Sequence, residues 1–371
     1  MNIPFVDLKA QYQSIKKEID EAIQNVIDET AFIKGKYVQK FEEEYAEVYG
    51  VKHAVSCANG TDAIYITLKA LGIGLGDEVI TTALSWISTS ETISQTGANV
   101  VFVDIDPDYY TIDASKIEEK ITEKTKAIIP VHLYGHPANM TEVMAIAKKH
   151  NLEVIEDCAQ SHFAQWQGQN VGTIGAAGTF SFFPGKNLGA YGDAGCIVTN
   201  DDKLAEKMRR FSRHGALGKH DHEFEGINSR LDGIQAAILS VKLKYIHEWT
   251  DLRIQHGATY KKILSDIECI TVPETHSDAK HVFHLYVIRA NNRDELQKHL
   301  KENNISSGIH YPRALPYLKA YDYLSHKPED FPLAYEYSNK ILSLPMFPEL
   351  SNNQLITINK QIVKKCKLIK T

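Results

Sequence analysis

Ile15, Ile19, Ala22, Ile23 and Val26 recur at i, i+4, i+7, i+8 and i+11. That single apolar stripe predicts an amphipathic helix behind a short N-terminal arm. A second such stretch covers Val38 to Tyr49, with Phe41, Tyr45 and Val48 on one face and Gly50 as its stop. From His53 the rhythm changes. Short apolar runs recur at His53–Cys57, Glu78–Thr82, Val100–Val103, Ala127–Val131, Leu152–Ile155, Thr179–Phe182 and Gly195–Thr199. Between most of them lie helical patterns, as at Asp62–Ala70, Thr89–Gln95, Ala114–Ile121 and Met140–Lys149. Continuous Val/Ile runs alternating with helices predict a mostly parallel seven-stranded sheet covered on both faces, in one large α/β domain.

Beyond residue 202 the pattern is mainly helical to about 265, with helices at Lys203–Ser212 and Asp232–Glu248 around the polar segment Arg213–Arg230. The last part alternates again. Val282–Arg289 reads as a strand, Asp294–Glu302 as a helix, Ser307–Tyr311 as a strand, and helices follow. The expected division is an arm plus large domain over 1–245 and a smaller C-terminal α+β domain over 246–371.

Composition narrows the function classes. The 371 residues carry a net charge of −6, with 43% hydrophobic and 24% charged residues, which excludes a mostly disordered chain. Mild acidity without a Lys/Arg stripe leaves no electrostatic footprint for nucleic acid. No apolar run approaches the ~18–20 residues that span a bilayer. The opening MNIPFVDLKAQYQSIKK lacks the apolar region of a secretory signal. Five scattered cysteines (Cys57, Cys158, Cys196, Cys269 and Cys366) give neither a disulfide framework nor a CxxC metal pair. A cytoplasmic protein with no membrane partner is the expectation.

Three segments can carry chemistry. In SFFPGKNLGAYGDAG, Lys186 sits in a Gly/Pro-rich loop just after a predicted strand. Such loops are where open α/β sheets place ligands, and a lysine among apolar neighbours can lose its proton and attack a carbonyl. A solvated surface lysine is the plain alternative. In VIEDCAQSH, Asp157 directly follows an apolar strand. A carboxylate there can hold a heterocyclic nitrogen in its cationic form, the partner pyridoxal phosphate needs as an electron sink. It can equally be a helix N-cap. In SCANGTDA, Gly60 and Thr61 open a helix whose free N–H groups and dipole suit a phosphate, though GxxxxGK[ST] is absent and simple capping also fits. His214, His220 and His222 cluster in a polar stretch without a convincing acidic or cysteine partner, so no metal site is assigned.

The stretches FPGKNLGAYGDAG, IEDCAQSH, CANGTDA and NSRLDGIQAA resemble the DegT/StrS-type nucleotide-sugar aminotransferases, fold-type-I enzymes that use pyridoxal phosphate. The resemblance runs from Pro4-Phe-Val-Asp-Leu8 to Leu344-Pro-Met-Phe-Pro-Glu-Leu350. It implies that Lys186 forms the Schiff base with the cofactor and shuttles the proton, and that Asp157 pairs with the ring nitrogen. Gln160 is implied near the phenolic oxygen, and Gly60, Thr61 and Ser181 on the phosphate. Trp86 stands where the family often has a stacking Phe, and Phe183 where it often has Tyr. Asn228 is implied to reach the phosphate of the neighbouring subunit, so that a homodimer shares its sites. His310 and Tyr311 are implied to border the sugar.

The implied reaction moves an amino group from an amino acid, L-glutamate, to a keto sugar linked to dTDP or UDP, through the pyridoxamine form. FPGKNLGAYGDAG with His281-Val-Phe-His-Leu-Tyr-Val-Ile288 looks more like members acting at sugar carbon 3 than at carbon 4. A 4-keto substrate is the alternative. A sugar dehydratase, which carries His in place of the lysine, and a non-catalytic regulator are the rivals from other classes.

Overall fold

The structure is a computed structural model and describes residues 1–369. Nine strands occupy its first two hundred residues: His53–Cys57 (β1), Glu78–Thr82 (β2), Asn99–Val103 (β3), Thr125–Ile129 (β4), Glu153–Asp157 (β5), Gln165–Trp166 (β6), Gln169–Asn170 (β7), Ala177–Ser181 (β8) and Gly195–Thr199 (β9). Seven of them form one sheet in the order β1-β9-β8-β5-β4-β2-β3. β9 runs against both of its neighbours, and the other pairings are parallel. All seven runs predicted from the apolar pattern are therefore strands, and the sheet is mostly parallel.

The helices form where the stripes predict them. Lys36–Tyr49 ends at Gly50, whose φ of 70° is left-handed and favours glycine. Gly60–Ala70 starts at Asn59, whose side chain accepts from the Asp62 amide at 2.8 Å. Phe41, Tyr45 and Tyr49 from the first of these helices meet Phe163, Phe180 and Phe182 in one buried aromatic cluster. Each such ring contributes roughly 1.5–3 kcal/mol by leaving water. The cluster clamps β8, the strand that delivers Ser181 and Lys186. Val48, placed on this face by its spacing, is instead exposed, and Val38 and Tyr49 fill the buried side.

Four departures have local causes. Ala114–Ile121 is two successive 3-10 turns, Ala114–Lys116 and Glu118–Lys120, which still bury Ala114 and Ile117. Asp232–Glu248 breaks into Gly233–Leu243 and Ile246–Leu264. Ser307–Tyr311 is not a strand, because only Gly308 bridges to Ser343 and the chain then turns inward. Cys269 and Cys366, 97 residues apart with Cα atoms 5.9 Å apart, are bonded. This single crosslink arises where the helix Asn352–Ile369 folds back beside the strand Ile270–Thr271 (β10).

Ala279–Lys280 (β11) pairs with β6, while Tyr286–Ala290 (β12) lies between β10 and Ile341–Leu344 (β13) in a three-stranded sheet. Its core takes Ile288, Leu296, Leu300, Leu342 and Leu344, and also Ile3 from the arm. Residues 370 and 371, at the end of the expected small domain, lie outside the described residues. No described helix is long and apolar enough to cross a membrane.

Candidate active site

The carboxyl ends of the parallel strands converge on one place. β1 runs out into Asn59 and the helix Gly60–Ala70, β5 ends at Asp157 and β8 ends at Ser181. Gly60 lies so close to Ser181 that a Cβ on it would stand 2.6 Å from the Ser181 Cβ. Glycine is therefore required for this approach of backbone to side chain. Thr61 Oγ1 and Ser88 Oγ are 2.6 Å apart, so a second helix start, Ser88–Gln95, joins the same corner. Free helix N–H groups, three hydroxyls and no side chain at Gly60 make a cradle for a phosphate.

Asp157 is buried at the end of β5. Its Oδ2 accepts from Thr89 Oγ1 at 2.7 Å and its Oδ1 from the Ala159 amide at 3.1 Å. Burial raises its pKa above the ordinary carboxylate value, against the lowering effect of those donors and of Lys186. Among the described residues it has no cation within ion-pair distance. Lys186 follows Gly185 in the loop after β8, and its amine makes no hydrogen bond or ion pair with any described residue. Burial pulls its pKa down to about 8, opposed by the charge of Asp157. A carboxylate without a bonded cation and an amine without an acceptor thus lie close enough at the strand ends for each charge to act on the other. Pyridoxal phosphate fits these groups: a ring N–H for Asp157, an aldehyde for Lys186 and a phosphate for the Gly60 corner.

Further groups close the mouth. Gln160 accepts from the Tyr134 amide at 2.7 Å through Oε1 and donates through Nε2 to the Tyr311 hydroxyl at 3.0 Å. The Tyr134 hydroxyl donates to the His310 carbonyl. His310 Nδ1 lies 2.9 Å from Ser343 Oγ, and burial, then the nearby Lys186 charge, lowers the imidazole to about 4. Trp86 is 58% exposed, with its ring centroid 5.5 Å from that of Tyr311. Trp86 thus presents an exposed aromatic ring beside Tyr311. Gly60, Thr61, Trp86, Asp157, Gln160, Ser181, Lys186, His310 and Tyr311 are thus brought to one region.

Asn228 lies apart from these direct contacts. It is exposed and bridges to Arg213, while its neighbour Ser229 donates to Asp62 and accepts from the Ala58 amide. The same segment gathers cations. Partial burial, then the charges of Arg213 and Arg230, lower the Lys34 pKa, and none of the three has an ion pair among the described residues.

Two features escape a reading of motifs. Ser88 and Thr89 look like ordinary helix-start residues, but one hydroxyl meets the cradle and the other meets Asp157. Glu156, buried beside Asp157, accepts from the Gly172, Ile174 and Gly175 amides and pairs with His132 Nε2 at 3.0 Å. His132 Nδ1 accepts from the Ala138 amide, so Nε2 carries the proton. With Cys158 these two form a compact group of metal-ligand type, but the Glu156 oxygens are already engaged in holding loops behind the site. His214, His220 and His222 lie on an exposed loop, where His222 donates to the His214 carbonyl.

The chain is similar to known proteins along almost its whole length. Residues 13–363 match the family described as the DegT/DnrJ/EryC1/StrS aminotransferase family. The chain is 49% identical over 356 residues to a Geobacillus stearothermophilus protein named pleiotropic regulatory protein, covering 95% of this chain and 96% of that one. It is 43% identical over 356 residues to the UDP-N-acetyl-3-dehydro-alpha-D-glucosamine 3-aminotransferase of Acidithiobacillus ferrooxidans, with 96% of each covered. Among solved structures, S. venezuelae DesV in complex with ketimine intermediate superposes with a TM-score of 0.97 at 38% identity over 99% of both chains.

Proposed function

Since the chain belongs to the DegT/DnrJ/EryC1/StrS aminotransferase family, we propose that it moves an amino group from L-glutamate to carbon 3 of a keto sugar linked to UDP or dTDP, with pyridoxal phosphate as cofactor. The observation that carries this reading is the pair of Lys186 and Asp157, each without an ionic partner and each within reach of the other's charge, beside the Gly60 cradle. Carbon 3 is supported by the name of the Acidithiobacillus relative. A diphosphate is supported by the unpaired Lys34, Arg213 and Arg230.

In this reading residues 1–245 hold the cofactor and the unit from 246 onward brings His310 and Tyr311 to the sugar. Gly60, Thr61 and Ser181 hold the phosphate, Trp86 lies against the ring, and Gln160 binds its phenolic oxygen. Asn228 completes the site of a partner subunit in a homodimer, and exposed Phe32, Ile33, Phe183 and Phe224 offer apolar surface for that contact. The enzyme works in the cytoplasm.

Pyridoxal phosphate, when bound, supplies the aldehyde carbon and the electron-accepting ring, and in its amine form carries nitrogen between the two half-reactions. Asp157, ionised, would hold the ring nitrogen and favour its protonated form. Lys186 Nζ would take the α-proton of glutamate and would release it to the carbon on the other side of the amino nitrogen. With a pKa near 8 the amine has a usable free-base fraction at neutral pH and still delivers a proton in the reverse sense.

The test incubates the protein with L-glutamate and a panel of 3-keto and 4-keto UDP and dTDP sugars, reading products by mass and NMR. A 3-amino sugar with release of 2-oxoglutarate is expected. A 4-amino product overturns the carbon assignment. A product that has lost oxygen without gaining nitrogen indicates the dehydratase. A protein that takes up no cofactor and forms no product is the regulator that the Geobacillus name suggests. Borohydride reduction followed by peptide mapping should place the adduct on Lys186.

A further inference from the structure

The helix Gly233–Leu243 carries the end of the NSRLDGIQAA stretch, and two of its polar side chains hold the loop that follows Lys186. Gln235 Oε1 accepts from the Tyr191 amide at 2.8 Å. Seven residues on, Lys242 Nζ donates to the Gly189 carbonyl at 2.6 Å and lies 4.3 Å from the centre of the Tyr191 ring. A spacing of seven puts both on the same helix face, two turns apart.

Lys242 is 0% exposed. Among the described residues it has no ion-pair partner, although Glu349 is close enough to favour its charge. Burial of an ammonium without a carboxylate is costly, and a methionine of similar length would fill the volume without that cost. What the ammonium adds is one strong, charge-assisted hydrogen bond to a main-chain oxygen. That oxygen belongs to a residue three places after Lys186. The turn between them is tight, since a side chain on Gly189 would run into the Pro184 carbonyl. The Ala190 amide closes back on the Phe182 carbonyl at 2.8 Å. On the other side, Asn187 donates to the Val282 carbonyl at 3.3 Å and faces His284 Nδ1 at 3.2 Å. The backbone around Lys186 is thus gripped at 187, 189 and 191, while the amine of Lys186 itself is left free.

We propose that Lys242, aided by Gln235, is a positioning residue for Lys186: it fixes the Gly189 carbonyl and so holds the turn that aims the reactive amine toward Asp157. This rests on the reading of Lys186 as the cofactor-binding lysine. A small misplacement of a reacting amine lowers the rate of proton transfer without weakening a phosphate site that other residues build.

The test compares Lys242→Met with the wild type and with Lys242→Arg, which keeps a charged donor. In cofactor-free protein, amide deuterium exchange over 186–191 should be about ten-fold faster in Lys242→Met. In cofactor-loaded protein, the single-turnover rate with L-glutamate should fall by about ten-fold while cofactor affinity stays within about three-fold. The midpoint pH of the Lys186–cofactor absorbance band should move by about half a unit. Lys242→Arg should recover part of the rate and of the band position. A folded Lys242→Met protein with wild-type exchange, rate and midpoint overturns the proposal, as does an equal loss of rate in Lys242→Arg. Should Lys242→Met fail to fold, Gln235→Leu decides by the same readouts. Borohydride mapping separates the two claims: an adduct away from Lys186 sinks the functional reading, whatever the exchange shows.

Discussion

Thr89 donates its hydroxyl hydrogen to Asp157 Oδ2 across 2.7 Å, with both side chains buried. The contact joins two elements 68 residues apart and leaves the acid with two fixed donors, this hydroxyl and the Ala159 amide. Both favour the carboxylate against the burial that raises its pKa. Removing one donor moves that balance toward the neutral acid, which cannot hold a ring nitrogen cationic. Thr89→Val should therefore bind cofactor but turn over about ten-fold more slowly, with the acidic limb of its pH–rate profile displaced upward. An unmoved limb in a folded variant counts against the contact.

Asp157→Asn goes further along the same line. The amide keeps the volume and cannot carry the charge. Cofactor should remain bound through the Gly60 corner while transamination falls by about 10³-fold, the scale of losing a major electrostatic group. Cofactor affinity from absorbance titration, set beside single-turnover rates, separates the two effects. Near-normal turnover refutes the assignment.

Gly60→Ala tests the cradle by shape alone. The new methyl group would stand 2.6 Å from the Ser181 Cβ and 3.2 Å from its Cα, so strand and helix must part. Overpacking of this kind costs about 1–3 kcal/mol. Cofactor affinity should fall with stability. Ser181→Gly removes the nearest atom, the Cβ at 2.6 Å, and leaves only the Cα at 3.2 Å, so the double variant should regain part of the stability lost in Gly60→Ala alone. Additive losses in denaturation of the four proteins would show that the clash lies elsewhere.

The strands of the large sheet were readable because buried parallel strands are continuous Val/Ile runs, as at Val100–Val103. Failures came where a periodic pattern has two solutions. Ala114 and Ile117 satisfy their burial in 3-10 turns as well as in an α-helix. In Ser307–Tyr311 the alternation resembles a strand, yet after Gly308 the chain leaves the sheet, and Tyr311 meets Gln160 instead. Local spacing exposed Lys186, Asp157 and Gly60 as candidates since each sits where a strand gives way to a loop or helix. It could not expose Ser88, Thr89 or Lys242. Their partners lie 27, 68 and 53 residues away, and only the folded chain brings them together.

Lys186 also makes a prediction about stability. Its folded pKa is about 8, against about 10.4 for a lysine in an unfolded chain. Between those values the unfolded state holds more protons, so stability rises with pH. The cofactor-free protein should gain roughly 1 kcal/mol per pH unit from this group between about pH 8 and 9.5. Lys186→Met should lose that increment. Urea denaturation at the two ends of the window measures it, and parallel slopes for the two proteins would mean that the amine is not desolvated.

A shared site predicts recovery from two defective subunits. Lys186→Ala removes the reactive amine, and Asn228→Ala removes the group proposed to reach the partner's phosphate. Each homodimer should be impaired at both of its sites. In a heterodimer the two defects fall together on one site if Lys186 of one subunit works with Asn228 of the other, and the second site is then wild type. Mixed and refolded subunits should form about half heterodimer when assembly is random, each holding one intact site of two. Differential affinity tags isolate that species for assay. Activity near half of the wild-type value per dimer is expected. If both residues instead serve the same site within one chain, every site keeps one defect, and the tagged heterodimer stays as slow as the average of its parents.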